Sequence, residues 1–198
     1  MKKIPTLFKR EFENHRVVKV LPEVTPGMEW VLEGMGEATI KWDGSCCAMI
    51  QNEFYKRYDA KKGKKIPEGA ILCEEYPDPV TGHFPCWVKC NRSDPGDQWF
   101  YAAYDASENL TDGTYEAVGP HFQRNPYHYG EDMLIKHGQN KIDVDRSFEG
   151  IRQYLQDNYL EGIVFWKDGK PQCKIKRSDF GFTWNEVERD EADELFYQ

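Results

Sequence analysis

The stretch "ATIKWDGSCCAMI" (residues 38–50) decides how this chain is read. An apolar run carries Lys41 at its end, and Asp43-Gly44 breaks it before a second apolar run begins. Lysine is costly to bury and is seldom placed at a strand end for packing reasons. Lys41 therefore either closes an ordinary edge strand or presents a reactive amine. Asp-Gly supplies residues that tolerate positive φ, so the expected structure is a strand, a tight turn and a second strand folding back on the first.

Working outward, short β-type runs bounded by turn residues occupy 37–42, 45–51, 53–58, 69–74, 113–118, 132–136, 161–167 and 171–177. "RSFEGIRQYLQD" (146–157) is the best helix, with Phe148, Ile151 and Leu155 on one stripe. A second helix is expected over 97–106 and a third from Asn185, where Glu188 completes an N-cap pair. "EYPDPVTGHFPCWVKCNRSDPGD" (75–97) is rich in Pro, Gly and Asp and reads as a long ordered loop. Strands interrupted by helices without regular alternation imply an α+β fold of mostly antiparallel sheets.

Composition sets the bounds. The chain has 198 residues, 39% of them hydrophobic and 14% aromatic, which suits one globular domain. No apolar run reaches the length of a membrane span, and "MKKIPTLFKR" lacks the apolar core of a signal peptide. Six cysteines without disulfide-framework spacing fit a reduced, cytoplasmic setting. Cys73, His83, Cys86 and Cys90 have the residue types of a zinc site. No second paired C-x-x-C supports it, however, and thiols in a loop around Trp87 are the simpler reading.

The net charge of −8 is unevenly spread. Residues 186–194, "EVERDEADE", hold six acids and one Arg, while "KRYDAKKGKK" (56–65) holds six bases and one acid. "KIKR" (174–177) adds three bases. Lys61, Lys62, Lys64 and Lys65 are therefore either a solvated loop or a contact for a polyanion.

Three further segments share Lys41's character. "GTYEAVGP" (113–120) sets one carboxylate, Glu116, inside a strand. "EGIVFW" (161–166) opens a strand with Glu161, which strand alternation puts on one face with Ile163 and Phe165. "CKIKR" puts Lys174 and Lys176 on one face, with Ile175 on the other. Like charges two apart on a strand face repel, and they make sense where they converge on an anion such as a phosphate.

In this order the segments resemble motifs I, III, IV and V of the covalent nucleotidyltransferases, the RNA ligases, DNA ligases and mRNA capping enzymes. The flanking "EYPDPVTGHFPCWV", "GTYEAVGPHFQRNP" and "LIKHG" are similar to the small family of the vertebrate 5′-to-3′ RNA ligase and its phage and bacterial relatives. Cys46 stands where DNA ligases and capping enzymes usually carry Arg, which favours the RNA-ligase branch. Ile40 stands where the family often has Glu.

The resemblance implies a single nucleotidyltransferase domain over 1–198. Motif I would be 41–44, motif III 113–120, motif IV 161–166 and motif V 173–177, with an acidic C-terminal helix over about 185–198. Only 22 residues follow Lys176, too few for an appended OB domain. It implies an ATP-dependent, monomeric, cytoplasmic RNA ligase of the RNA-repair type, joining 5′-phosphate and 3′-hydroxyl RNA ends with Mg2+ or Mn2+. A DNA or nick-sealing ligase, an RNA end-adenylating enzyme and a non-catalytic nucleotide- or RNA-binding protein are the alternatives.

Lys41 is the implied nucleophile. Asp43 and Gly44 would shape the motif I loop, Glu116 would hold ribose hydroxyls, Glu161 a metal or its water, and Lys174 and Lys176 the phosphates. Arg57 would set the nucleotide phosphate and later the RNA 5′ end, with Lys61, Lys62, Lys64 and Lys65 on the RNA backbone. A free lysine titrates near ~10.4, and Lys174, Lys176 and a metal ion are the cations expected to lower that value for Lys41. Trp42, Phe165 and Trp166 are expected to pack. "MLIKHG" (133–138) is the expected source of the side chain that sandwiches adenine.

Overall fold

The computed structural model describes residues 3–14, 16–79 and 81–185. The helix expected from Asn185 lies outside the described residues. The fold is α+β and mostly antiparallel.

A hairpin of β1 (Phe8–Glu13) and β2 (Arg16–Val24) comes first, followed by the short helix α1 (Glu29–Leu32). Then come β3 (Glu37–Lys41), β4 (Ser45–Ile50), β5 (Glu53–Ala60), β6 (Ile71–Leu72) and β7 (Phe84–Lys89). Helix α2 (Gln98–Asp105) precedes β8 (Gly113–Val118), β9 (Met133–Lys136) and β10 (Lys141–Ile142). Helix α3 (Phe148–Asp157) leads into β11 (Gly162–Lys167) and β12 (Lys170–Lys176).

The strands form two larger sheets. One has the order β10-β3-β11-β12, the other β6-β7-β5-β4-β8-β9. Each has its own core. Ile163, Phe165 and Ile175 of the first sheet pack with Leu7, Phe8 and, from α3, Ile151 and Leu155, all at most 1% exposed. Ser147 caps α3 by accepting the Gly150 N–H at 3.0 Å, so the helix starts at Phe148, whose ring meets Phe8 edge-on. The second sheet buries Cys47, Met49, Phe54 and Tyr115 against α2, whose Phe100, Tyr101 and Tyr104 rings surround Phe54.

The expected turn at Asp43-Gly44 is not a hairpin. β3 and β4 belong to different sheets, and neither Asp43 nor Gly44 has positive φ. Gly44 is glycine for another reason: a Cβ there would lie 2.1 Å from the Ala117 carbonyl oxygen. The chain steps between sheets so closely against β8 that no side chain fits. Hairpins of the expected kind occur at Gln51-Asn52, joining β4 to β5, and at Asp168-Gly169, joining β11 to β12, and all four of those residues have positive φ.

Residues 75–97 are not one loop, since β7 pairs with both β5 and β6 there. Pro85 argues against a strand by lacking an N–H. Here it sits in the ladder opposite Asp59, and its carbonyl accepts the Cys73 N–H at 3.0 Å. The strand expected over 69–74 shortens to Ile71–Leu72.

Candidate functional site

The step from β3 to β4 puts Lys41 at the seam between the two sheets. In the first sheet Lys41 pairs with Gly162, and Gly162 with Lys176. One row along, Thr39 pairs with Val164, and Val164 with Lys174. By alternation these rows project onto one face, opposite the core face of Ile163, Phe165 and Ile175. Gly162 is required at the centre of the first row, because a Cβ there would lie 2.2 Å from the Ile175 carbonyl oxygen.

Glu161 does not share a face with Ile163 and Phe165. It precedes β11, outside the ladder, and its carboxylate turns to the lysine side. One oxygen accepts a hydrogen bond from Lys41 Nζ, and the other lies 2.7 Å from Lys176 Nζ. Glu161 is only 5% exposed, so this is a largely desolvated carboxylate between two ammonium groups. Burial alone would lower the Lys176 pKa, but the charge and hydrogen bond of Glu161 outweigh it and leave the group above its ordinary value. Among the described residues no carboxylate pairs with Lys174 in this way: burial, then repulsion from Lys41 and Lys176, depresses it to about 8. Its backbone is fixed by the N-terminal segment, with Lys174 N donating to Pro5 O at 3.0 Å and Leu7 N to Lys174 O at 2.7 Å.

The loop after Lys41 is held from several sides. Asp43 N donates to the Tyr127 hydroxyl at 2.8 Å, and Trp184 Nε1 donates to Asp43 Oδ2 at 2.8 Å. Burial raises the Asp43 carboxyl above its usual range, against the pull of the Trp184 hydrogen bond. Gly44 N donates to Glu116 Oε1 at 3.1 Å, which ties the loop to β8. Trp42 packs its edge on Tyr127 and donates to Asn140 at 3.2 Å.

Facing the lysines across the seam is a pocket. Thr39, Lys41, Val164, Trp166 and Lys174 line it from the first sheet. Cys46, Arg57 and Glu116 line it from the second, with His137 and Gly138 just past β9. Arg57 lies in this lining and pairs with Asp59 at 3.1 Å. Its neighbour Lys56 turns to buried Asp97 instead, which separates the two adjacent cations by role. Lys61, Lys62, Lys64 and Lys65 lie exposed beyond β5, and none of them lines the pocket. Phe165 packs in the core, whereas Trp42 and Trp166 also border the pocket.

His137, Tyr127 and Trp184 also reach this site, and no local pattern points to them. His137 Nε2 lies 2.9 Å from Glu116 Oε2, and its Nδ1 lies 2.9 Å from Thr114 Oγ1. It belongs to "LIKHG", but one residue beyond the strand, where alternation no longer predicts its direction.

Cys73, His83, Cys86 and Cys90 do not gather into a ligand set. Among the described residues, only Cys46, Glu116 and His137 bring three potential ligand atoms together. For a hard divalent ion the lysine face offers the carboxylates of Glu161 and Asp43. These are oxygen donors of the type Mg2+ takes, too few to enclose it without phosphate or water oxygens.

A scan against known protein families and a search of curated proteins each found no match to this chain. Among the described residues, no helix is long and apolar enough to cross a membrane.

Proposed function

We propose that this chain is a covalent nucleotidyltransferase, with Lys41 as the residue that carries the nucleotide. More particularly, it is read as an ATP-dependent RNA ligase that joins a 5′-phosphate to a 3′-hydroxyl. The observation that carries the reading is the meeting of Glu161 with Lys41 and Lys176 where β3, β11 and β12 run side by side, with Lys41 also lining a pocket shared with Lys174, Arg57 and Glu116.

The chemistry follows from those neighbours. Lys41 Nζ must shed a proton before it can attack, and Glu161 already accepts a hydrogen bond from it. Attack on the α-phosphorus forms the N–P bond, breaks the bond to the β-phosphate oxygen and releases pyrophosphate. Lys174 and Lys176 flank the amine and oppose the charge that builds on the phosphoryl oxygens. Glu116, fixed by Gly44 and His137, faces the same pocket with oxygens suited to ribose hydroxyls. A Mg2+ or Mn2+ held by Glu161 and Asp43 would supply further charge neutralisation when bound. In the later steps AMP passes to the RNA 5′-phosphate, and the 3′-hydroxyl displaces it.

The test is incubation with α-labelled ATP and Mg2+, followed by intact-mass measurement. The wild type should gain one AMP and Lys41→Arg none, because guanidinium stays protonated. An unlabelled wild type, or an adduct mapped to another lysine, would sink the proposal. Labelling with GTP in place of ATP would indicate capping chemistry, and joining of matched DNA rather than RNA ends a DNA ligase.

A further inference from the structure

We propose that Cys46, Glu116 and His137 form a binding site for a borderline-soft divalent cation of the Zn2+ class, and that this ion and the nucleotide exclude one another. The exclusion rests on reading Glu116 as a nucleotide ligand; the ion site itself does not.

The three side chains come together through strand register. Cys46 lies opposite Glu116 across the β4–β8 ladder, and Glu116 lies opposite Ile135 of β9. The chain then runs on to His137, whose N–H donates to the Thr114 carbonyl at 3.0 Å and extends that edge by one residue. The thiol, carboxylate and imidazole atoms all lie within 4.8 Å of one another. Ligand atoms around a tetrahedral zinc, at bond lengths of ~2.0–2.3 Å, stand roughly 3.3–3.6 Å apart, so modest side-chain rotations close the set.

The local hydrogen bonds suit an ion. Thr114 Oγ1 holds His137 Nδ1 at 2.9 Å, which orients the ring and aims Nε2 at Glu116 Oε2. Such an outer partner on the far ring nitrogen is the usual support of a metal-bound histidine. Coordination through Nε2 and Oε2 replaces their mutual contact with two bonds to the ion. Glu116 Oε1 stays on the Gly44 N–H at 3.1 Å, so the loop after Lys41 keeps its anchor. Cys46 binds as thiolate: the S–H bond breaks, its proton goes to solvent, and a sulfur–metal bond forms. Thiolate and carboxylate together balance the ion's two charges, and three protein ligands leave one position for water. Sulfur and imidazole donors select Zn2+ or Co2+ over Mg2+. An ion on Glu116 Oε2 occupies the place assigned above to ribose hydroxyls.

The test uses the full chain, stripped by a chelator and titrated with Co2+ in the absence of nucleotide. A near-ultraviolet sulfur-to-cobalt charge-transfer band should saturate at one ion per chain and disappear on adding Zn2+. Cys46→Ser, close in shape to the original and checked for folding by circular dichroism, should lose the band. Thr114→Val should weaken binding by ~10–100-fold. No band, or a band that persists in Cys46→Ser, overturns the site. Zn2+ should also block AMP labelling in competition with ATP; labelling unchanged at saturating Zn2+ overturns the exclusion. Absence of labelling in the metal-free chain with Mg2+ would instead overturn the ligase reading, and the Co2+ result would stand on its own.

Discussion

Replacing Lys174 by methionine should make the protein more stable while making it less active. Lys174 is half-buried beside two other lysines, and its carboxylate neighbour Glu161 is already engaged by both. The group titrates at about 8 in the folded protein against 10.5 unperturbed. Below about pH 8 both folded and unfolded chains carry the proton, and the folded state bears the full penalty of holding it. Between about 8 and 10.5 the unfolded chain binds more protons than the folded one, so stability rises with pH and the penalty fades. A shift of this size corresponds to at most about 3–4 kcal/mol, and solvent screening at a half-buried amine reduces that to roughly 1–2 kcal/mol.

Lys174→Met should therefore gain roughly 1–2 kcal/mol in urea unfolding near pH 7, and the gain should shrink to about half of that by about pH 10. Taking the difference between the two proteins at each pH cancels the titration they share. Self-adenylylation should fall by the ~2–4 kcal/mol typical of lost charge stabilisation in a transition state. An equal or lower stability at neutral pH, or a gain that does not depend on pH, would refute the argument that the site holds an uncompensated cation ready for an anion.

Gly44→Ala should destabilise the protein by about 1–3 kcal/mol in urea, because its Cβ meets the backbone of Ala117 rather than a side chain that could move aside; an unchanged midpoint would mean the loop after Lys41 does not lie so close against β8. Changing Lys61, Lys62, Lys64 and Lys65 to Ser should leave self-adenylylation nearly intact, since none lines the pocket. It should also flatten the salt dependence of RNA joining by ~0.7 per lost phosphate contact on a single strand. An unchanged slope in a joining assay across a salt series would place the RNA path elsewhere, beside "KIKR".

Much of the candidate site's placement is legible because it sits on short strands, where alternation fixes direction. Lys174, Lys176 and Glu116 appear where period-two reading puts them, opposite Ile175 and among the residues of β8. What local pattern does not carry is partnership. β3 and β4 look like a hairpin because their separation is short, yet β3 pairs with β11 and β4 with β8, and no local signal records that choice. Glu161 departs from its expected face for a related reason: strand alternation does not hold one residue before β11, where Glu161 sits. β7 was hidden by Pro85, and β1 and β2 drew no strand reading, in keeping with a hairpin that is exposed over much of its length and shows little apolar contrast. His137, Tyr127 and Trp184 act from segments outside the strands, where direction depends on packing that only the whole fold supplies.

The central position of β3 has a consequence for how the protein is made. Its two neighbours in the sheet, β10 and β11, lie about a hundred residues or more further along the chain, and the Lys41–Glu161 contact spans 120 residues. Such long-range pairing folds slowly, because loop closure must precede any gain from contact. During synthesis β3 emerges with both edges unpaired and stays so until β10 and β11 follow. The second sheet can assemble its central strands from residues 45–136 well before that. Lys41 thus waits at the margin of a half-built molecule, and the lysine cluster around Glu161 cannot assemble before β11 and β12 arrive. An uncovered β3 at that stage is where a stalled or truncated product would aggregate.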